Sequence, residues 1–210
     1  MAATKRAPSR TEKFQRLFLH ASSQAGYFTA VQARGLGYSP RSLVHHVAAG
    51  HFDRVGRGFY RLVGVPASSH EDIVAVWVRF APRRGVVSHD TALALYELAP
   101  SRTHEIHLTL PRERRPRTPQ TAAIKLHTTT VPVRRDEMAN RFGVQVTSPA
   151  RTIADVADIG TDPSVIVEAT ARALATGLVS RNELHTAVKR RSVRVRQLVE
   201  RAMEEAGVRA

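Results

Sequence analysis

The sequence predicts an α+β chain: an N-terminal winged helix-turn-helix, then a mixed α/β domain ending in a helical C-terminal region. Three observations predict it. Capped amphipathic segments joined by a short Gly-rich turn open the chain. Two strand-like runs around Gly56-Arg57-Gly58 follow them. Beyond these, alternating strand patterns give way near residue 147 to a series of capped helices.

The first helix is expected over residues 11–25, where Phe14, Leu17, Phe18, Ala21 and Ala25 recur at helical spacing and Gly26 ends the run. Thr29 and Gln32 form a capping box for a short second helix, stopped by Gly35 and Gly37. Ser39 caps a third, with Pro40 at its first position, where a missing N–H costs nothing. Tyr38 is placed to staple onto Leu43, and Gly50 closes the helix. Phe52 to Val55 and Phe59 to Val63 flank the Gly-rich turn as a hairpin.

The boundary is expected at Gly64 to Ser69, giving a DNA-binding domain at 1–65, with 1–10 a basic disordered arm, and a second domain at 66–210. Within the second, helices are expected at Ser69 to Phe80 and from the Ser88 cap to Leu98. Strands are expected at Ile106 to Leu110, Ile124 to Val133 and Val144 to Val146, with a basic loop from Pro111 to Gln120. Residues 148–210 are helical, capped at Ser148, Asp162 and Ser180, and Val195, Leu198, Val199, Ala202, Met203 and Ala206 form the last apolar stripe.

At 42% hydrophobic residues, the chain can bury a sizeable core. The absence of cysteine excludes disulfides and thiol chemistry and fits a cytoplasmic location. No apolar run reaches membrane-spanning length, so no membrane partner is expected. The net charge of +14 calls for a polyanionic partner. Residues 1–65 carry +8 of it, which points to nucleic acid at the N-terminal domain.

On the third helix, Leu43, Val44 and Val47 fall on an apolar arc. Arg41, Ser42, His45 and Ala49 fall opposite, with His46 flanking them. Arg, Ser and His near a helix N-terminus can reach base edges of double-stranded operator DNA in the major groove. Arg57 at the hairpin tip, with Arg54 and Arg61 beside it, offers contacts to phosphate or the minor groove. Lys5, Arg6 and Arg10 add phosphate contacts from the arm.

Arg151 and Asp155 lie one helical turn apart, in the order that is weaker for the helix itself, so a tertiary contact is expected of them. Lys189, Arg190, Arg191, Arg194 and Arg196 are dense enough for a second anionic surface, or serve the dipole of the helix they follow. No cofactor or metal is expected. His45-His46 and His104-x-x-His107 lack zinc spacing, and Ser88-His89-Asp90 is no triad, because helical neighbours point apart. Glu105, His107 and Lys125 are loosely similar to a metal-dependent nuclease sheet but lack a second carboxylate, so no enzyme is expected.

Several segments, in this order, resemble AbiEi-type antitoxins, the regulatory half of bacterial abortive-infection (type IV) toxin–antitoxin pairs. They are Tyr27-Phe28-Thr29-Ala30 and Gly56-Arg57-Gly58-Phe59-Tyr60-Arg61, then Ser88-His89-Asp90-Thr91-Ala92-Leu93 and Ile106-His107-Leu108-Thr109-Leu110-Pro111. The last is Thr147-Ser148-Pro149-Ala150-Arg151-Thr152-Ile153-Ala154-Asp155. The resemblance implies a winged-helix domain followed by an antitoxin domain. It also implies repression of the chain's own operon and neutralisation, direct or indirect, of a nucleotidyltransferase-like toxin. Some relatives append a nuclease-like domain, for which a chain ending at Ala210 leaves no room. The alternatives are a plain winged-helix regulator whose second domain senses a ligand or dimerises, and a nuclease.

Overall fold

The computed structural model describes residues 9–80, 84–101, 103–116 and 123–208. It is a mixed α+β chain that divides into two compact units, Met1–Pro82 and Arg83–Ala210.

In the first unit, helix α1 (Arg10–Ser22) is followed by β1 (Tyr27–Thr29), α2 (Ala30–Gly35), α3 (Pro40–Ala48), β2 (Phe52–Gly56), β3 (Phe59–Leu62) and α4 (Glu71–Phe80). Local chemistry sets the helix starts. Ser9 with Glu12, Thr29 with Gln32 and Ser39 with Ser42 each form a reciprocal capping box. Ser9 is thus the cap and Arg10 the first helical residue, which corrects the expectation of a disordered arm through residue 10. Lys5 and Arg6 lie outside the described residues.

Between α2 and α3 the chain reverses at Gly37, whose φ of +90° a side chain rarely adopts. Tyr38 N–H donates back to Ala33 O at 3.0 Å, closing the α2 end. The strands form an antiparallel sheet in the order β1-β3-β2. Phe28 meets Phe52 edge-on at 5.1 Å and stacks on Tyr60 at 5.6 Å. These rings join Leu17, Ala21, Tyr38, Leu43 and Leu62 in one core.

The sequence placed α4 beyond the domain boundary, yet it belongs to the first unit. It packs on β1, where Tyr27 Oη–H donates to Glu71 Oε1 at 2.7 Å.

The second unit holds a five-stranded sheet in the order β6-β5-β4-β8-β7. Its strands are β4 (Val86–Val87), β5 (Ile106–Pro111), β6 (Ile124–Thr129), β7 (Met138–Arg141) and β8 (Val144–Thr147). β5 runs parallel to β6, and β4 parallel to β8. Helix α5 (His89–Leu95) follows β4. Four helices close the unit: α6 (Pro149–Asp158), α7 (Pro163–Ala175), α8 (Arg181–Val188) and α9 (Val193–Val208).

α6 is buried on almost every side, with α5, α7, α8 and α9 around it. The expected caps at Ser148, Asp162 and Ser180 each accept a backbone N–H. Ser88 differs. It precedes α5 but makes no capping bond, because its hydroxyl accepts from Thr109 Oγ1 at 2.8 Å and lies 2.9 Å from His89 Nδ1.

Candidate nucleic-acid interface

Helix α3 buries Leu43 and His46 and exposes Arg41, Val44, His45 and Ala49. Ser42 is half-buried, its hydroxyl tied to the Ser39 cap. Cation-lined grooves flank this exposed face. One, of about 570 Å³, lies between α3 and α1 and is lined by Arg10, Lys13, Ser39, Arg41, Ser42 and His45, among others. The other, of about 510 Å³, lies between α3, α2 and the hairpin, and Arg34, Pro40, Val44, Arg54 and Arg57 line it. The hairpin tip is held against α2, since Ala30 N–H donates to Gly58 O at 2.8 Å. Gly58, at φ +65°, lets the turn close there. Arg34 and Lys13 escaped the sequence reading. They lie on other helices, and only the folded chain brings them beside α3.

The structure corrects two DNA-facing assignments. His46 is 7% exposed and stacks on Phe52 at a centroid distance of 4.7 Å, so it belongs to the core. Burial lowers its imidazole pKa below the ordinary value, and His51, His45 and Arg10 add to the effect. Arg61 is committed internally. It pairs with Glu71 at 3.0 Å, donates to Val65 O at 2.8 Å and lies over the Tyr27 ring. Arg41, His45, Arg54 and Arg57 remain exposed.

In the second unit, Arg151 and Asp155 make the expected tertiary contact. Arg151 Nε donates to Asp155 Oδ1 at 2.8 Å and its Nη1 pairs with Glu137 at 3.2 Å. Arg191 bonds the same Asp155 carboxylate and reaches Asp158 at 3.1 Å. Arg194 donates to Asp158 O at 2.9 Å. These two arginines of the basic cluster therefore hold the fold together, whereas Lys189 and Arg190 are exposed and Arg196 is half-buried. The fold also brings together three histidines that sequence spacing kept apart, His89, His107 and His127. Burial keeps two of them neutral, with the His89 pKa pushed down to about 2 and that of His127 to about 4.

The first unit carries a segment similar to a family of transcriptional regulators. Residues 15–63, from α1 through β3, match the family model described as "Transcriptional regulator, AbiEi antitoxin". Over a longer stretch the fold is similar to the crystal structure of the RV2827C protein from Mycobacterium tuberculosis, with a TM-score of 0.58. That likeness covers 98% of this chain and 80% of the other at 14% identity, a likeness of fold. No curated protein matches the chain. Among the described residues, no helix is long and apolar enough to cross a membrane.

Proposed function

We propose that the chain is a DNA-binding transcriptional repressor of the AbiEi antitoxin kind, whose first unit is a winged helix-turn-helix. α2 and α3 are the helix-turn-helix, and β2–β3 is the wing. The observation that carries this reading is the pair of cationic grooves flanking the exposed face of α3. A helix in the major groove has a phosphate backbone on either side, and cations are needed at both. Arg10 and Lys13 serve one backbone; Arg34, Arg54 and Arg57 serve the other. Arg41 and His45 reach base edges, and exposed Val44 suits a thymine methyl group.

Following the resemblance noted in the sequence, we propose that residues 83–210 neutralise a nucleotidyltransferase-like toxin, directly or through the toxin's target, and that the chain represses its own operon in the cytoplasm. The test is a gel shift of the full chain on the DNA upstream of its own gene, with random duplex as competitor. Selective retention of the upstream fragment supports the reading. Equal competition by random DNA removes it. Growth rescue during expression of a toxin gene from the same operon separates an antitoxin from a plain regulator.

A further inference from the structure

We infer that His89, His107 and His127 form a binding site for a divalent transition-metal ion, with zinc the best match to the donor set. The topology places the donors. Along the parallel pair, His107 faces Lys125 and Thr109 faces His127, so these four residues share one side of the sheet. His89, at the start of α5, lies over that side, its ring stacked on His127 at 3.5 Å and 6.0 Å from His107 between centroids. One nitrogen from each ring lies within 4.8 Å of the other two. His107 Nδ1 and His127 Nε2 are 3.4 Å apart. Two nitrogens bound tetrahedrally at zinc–nitrogen distances of about 2.0–2.1 Å are separated by about the same amount.

A packing role alone explains these residues poorly. His107 is fully buried and His89 is 5% exposed, in a layer where apolar side chains would serve packing better. His89 holds a left-handed backbone, φ +53°, which a non-glycine residue adopts only where its surroundings enforce it.

One ring must turn out of the His89–His127 stack for both to point a lone pair at one ion, and the surroundings set which His89 nitrogen is free. Thr109 Oγ1 donates to Ser88 Oγ, and Ser88 Oγ in turn lies 2.9 Å from His89 Nδ1. With Nδ1–H donating to that hydroxyl, His89 Nε2 keeps its lone pair for an ion. Thr91 Oγ1 accepts the His107 backbone N–H at 2.9 Å, which ties α5 to β5. Asp90, 7% exposed, contributes a negative field at both His107 and His127.

Three imidazoles favour zinc, cobalt, nickel or copper over magnesium or calcium, which prefer oxygen. Three protein donors leave the fourth tetrahedral position to water. The half-buried His127 marks the side from which an ion arrives. Binding would clamp α5 to β5 and β6. This inference is independent of the DNA-binding proposal, since all its residues lie in the second unit.

The experiment uses the full chain, purified without a polyhistidine tag and stripped with chelator. Zinc chloride is titrated calorimetrically, and cobalt(II) is titrated with visible absorption as the readout. The wild-type chain should bind one ion and give the absorption of tetrahedral cobalt. His127→Gln should weaken binding by about 100-fold or more, and Ser88→Ala by about 10-fold. His185→Gln, at an exposed position of α8, should bind as the wild type does. If the variants fold poorly, nitrogen-15 spectra of the wild-type histidine rings still decide the matter, because zinc should move the signals of three rings only. Failure of the wild type to bind, or unchanged binding by folded His127→Gln, would overturn the site. So would zinc-induced shifts confined to other histidines.

Discussion

Arg61 Nε lies 3.0 Å from Glu71 Oε1, and this ion pair joins the hairpin to α4. The two side chains are only 21% and 23% exposed, and Tyr27 Oη–H donates to the same carboxylate oxygen. Losing one partner of a mostly buried pair leaves the other charge without compensation. Arg61→Ala is therefore expected to lower stability by about 1–3 kcal/mol. In urea denaturation followed by Trp77 fluorescence, the midpoint should fall while DNA affinity of the folded protein holds. A loss of affinity with unchanged stability would return Arg61 to the DNA surface.

Arg41→Ala is expected to act on sequence discrimination. If Arg41 reads a base edge, the gap between operator and random DNA should narrow by about 1–3 kcal/mol in gel-shift competition. Equal losses on both DNAs would reassign Arg41 to phosphate.

Arg57→Ala and Arg34→Ala should each flatten the log–log salt dependence of operator binding by about one unit, the signature of one neutralised phosphate. The two residues come from different elements but line the same groove. An unchanged slope for both would place that groove outside the interface.

His46 links acidity to the stability of the first unit. Its folded pKa is depressed by burial, and Arg10, His45 and His51 are the charged and titratable groups facing it. A depressed folded pKa gives stability that is complete above the unfolded value of about 6.5 and is lost as pH falls toward the folded value. Unfolding midpoints read through Trp77, the chain's one tryptophan, should therefore drop between pH 7 and pH 5. His46→Phe should reduce that drop, and an identical drop in the variant would assign it to other groups.

The two proposed roles should separate at the structural boundary. A chain with Arg41, His45 and Arg57 all changed to Ala should lose operator binding yet rescue growth from the toxin. A fragment beginning at Arg83 should rescue as well. Beginning near Pro66 would carry along α4, which packs on β1 of the first unit. Failure of the folded triple variant to rescue would show that DNA binding and toxin neutralisation are one function.

The features legible in the sequence were the local ones. Thr29 with Gln32, Ser39 with Pro40, and Ser180 with Glu183 are pairs within one helical turn, and each sits where its chemistry requires. Strands β1 and β4, three and two residues long, are too short to show a period. The β7–β8 hairpin turns through Phe142 and Gly143, both at positive φ, and phenylalanine gives no turn signal.

His46 was misplaced because polarity outweighed geometry. At 100° per residue it lies about 60° from Leu43, inside the buried arc, whereas Val44 lies about 100° away and is 68% exposed. The histidine cluster was invisible for a different reason. Its members come from a helix and two strands, and only the parallel β5–β6 register and the packing of α5 on it bring them together.

The Asp155 carboxylate has one further consequence, for the order in which the polypeptide assembles. It is 4% exposed and shared between Arg151 in its own helix and Arg191, which follows α8. While the ribosome has yet to deliver Arg191, α6 cannot sink fully into place without burying a carboxylate short of one partner. Full consolidation of α6 is therefore expected only once the C-terminal helices have been made. The second unit should become protease-resistant in a single late step of synthesis.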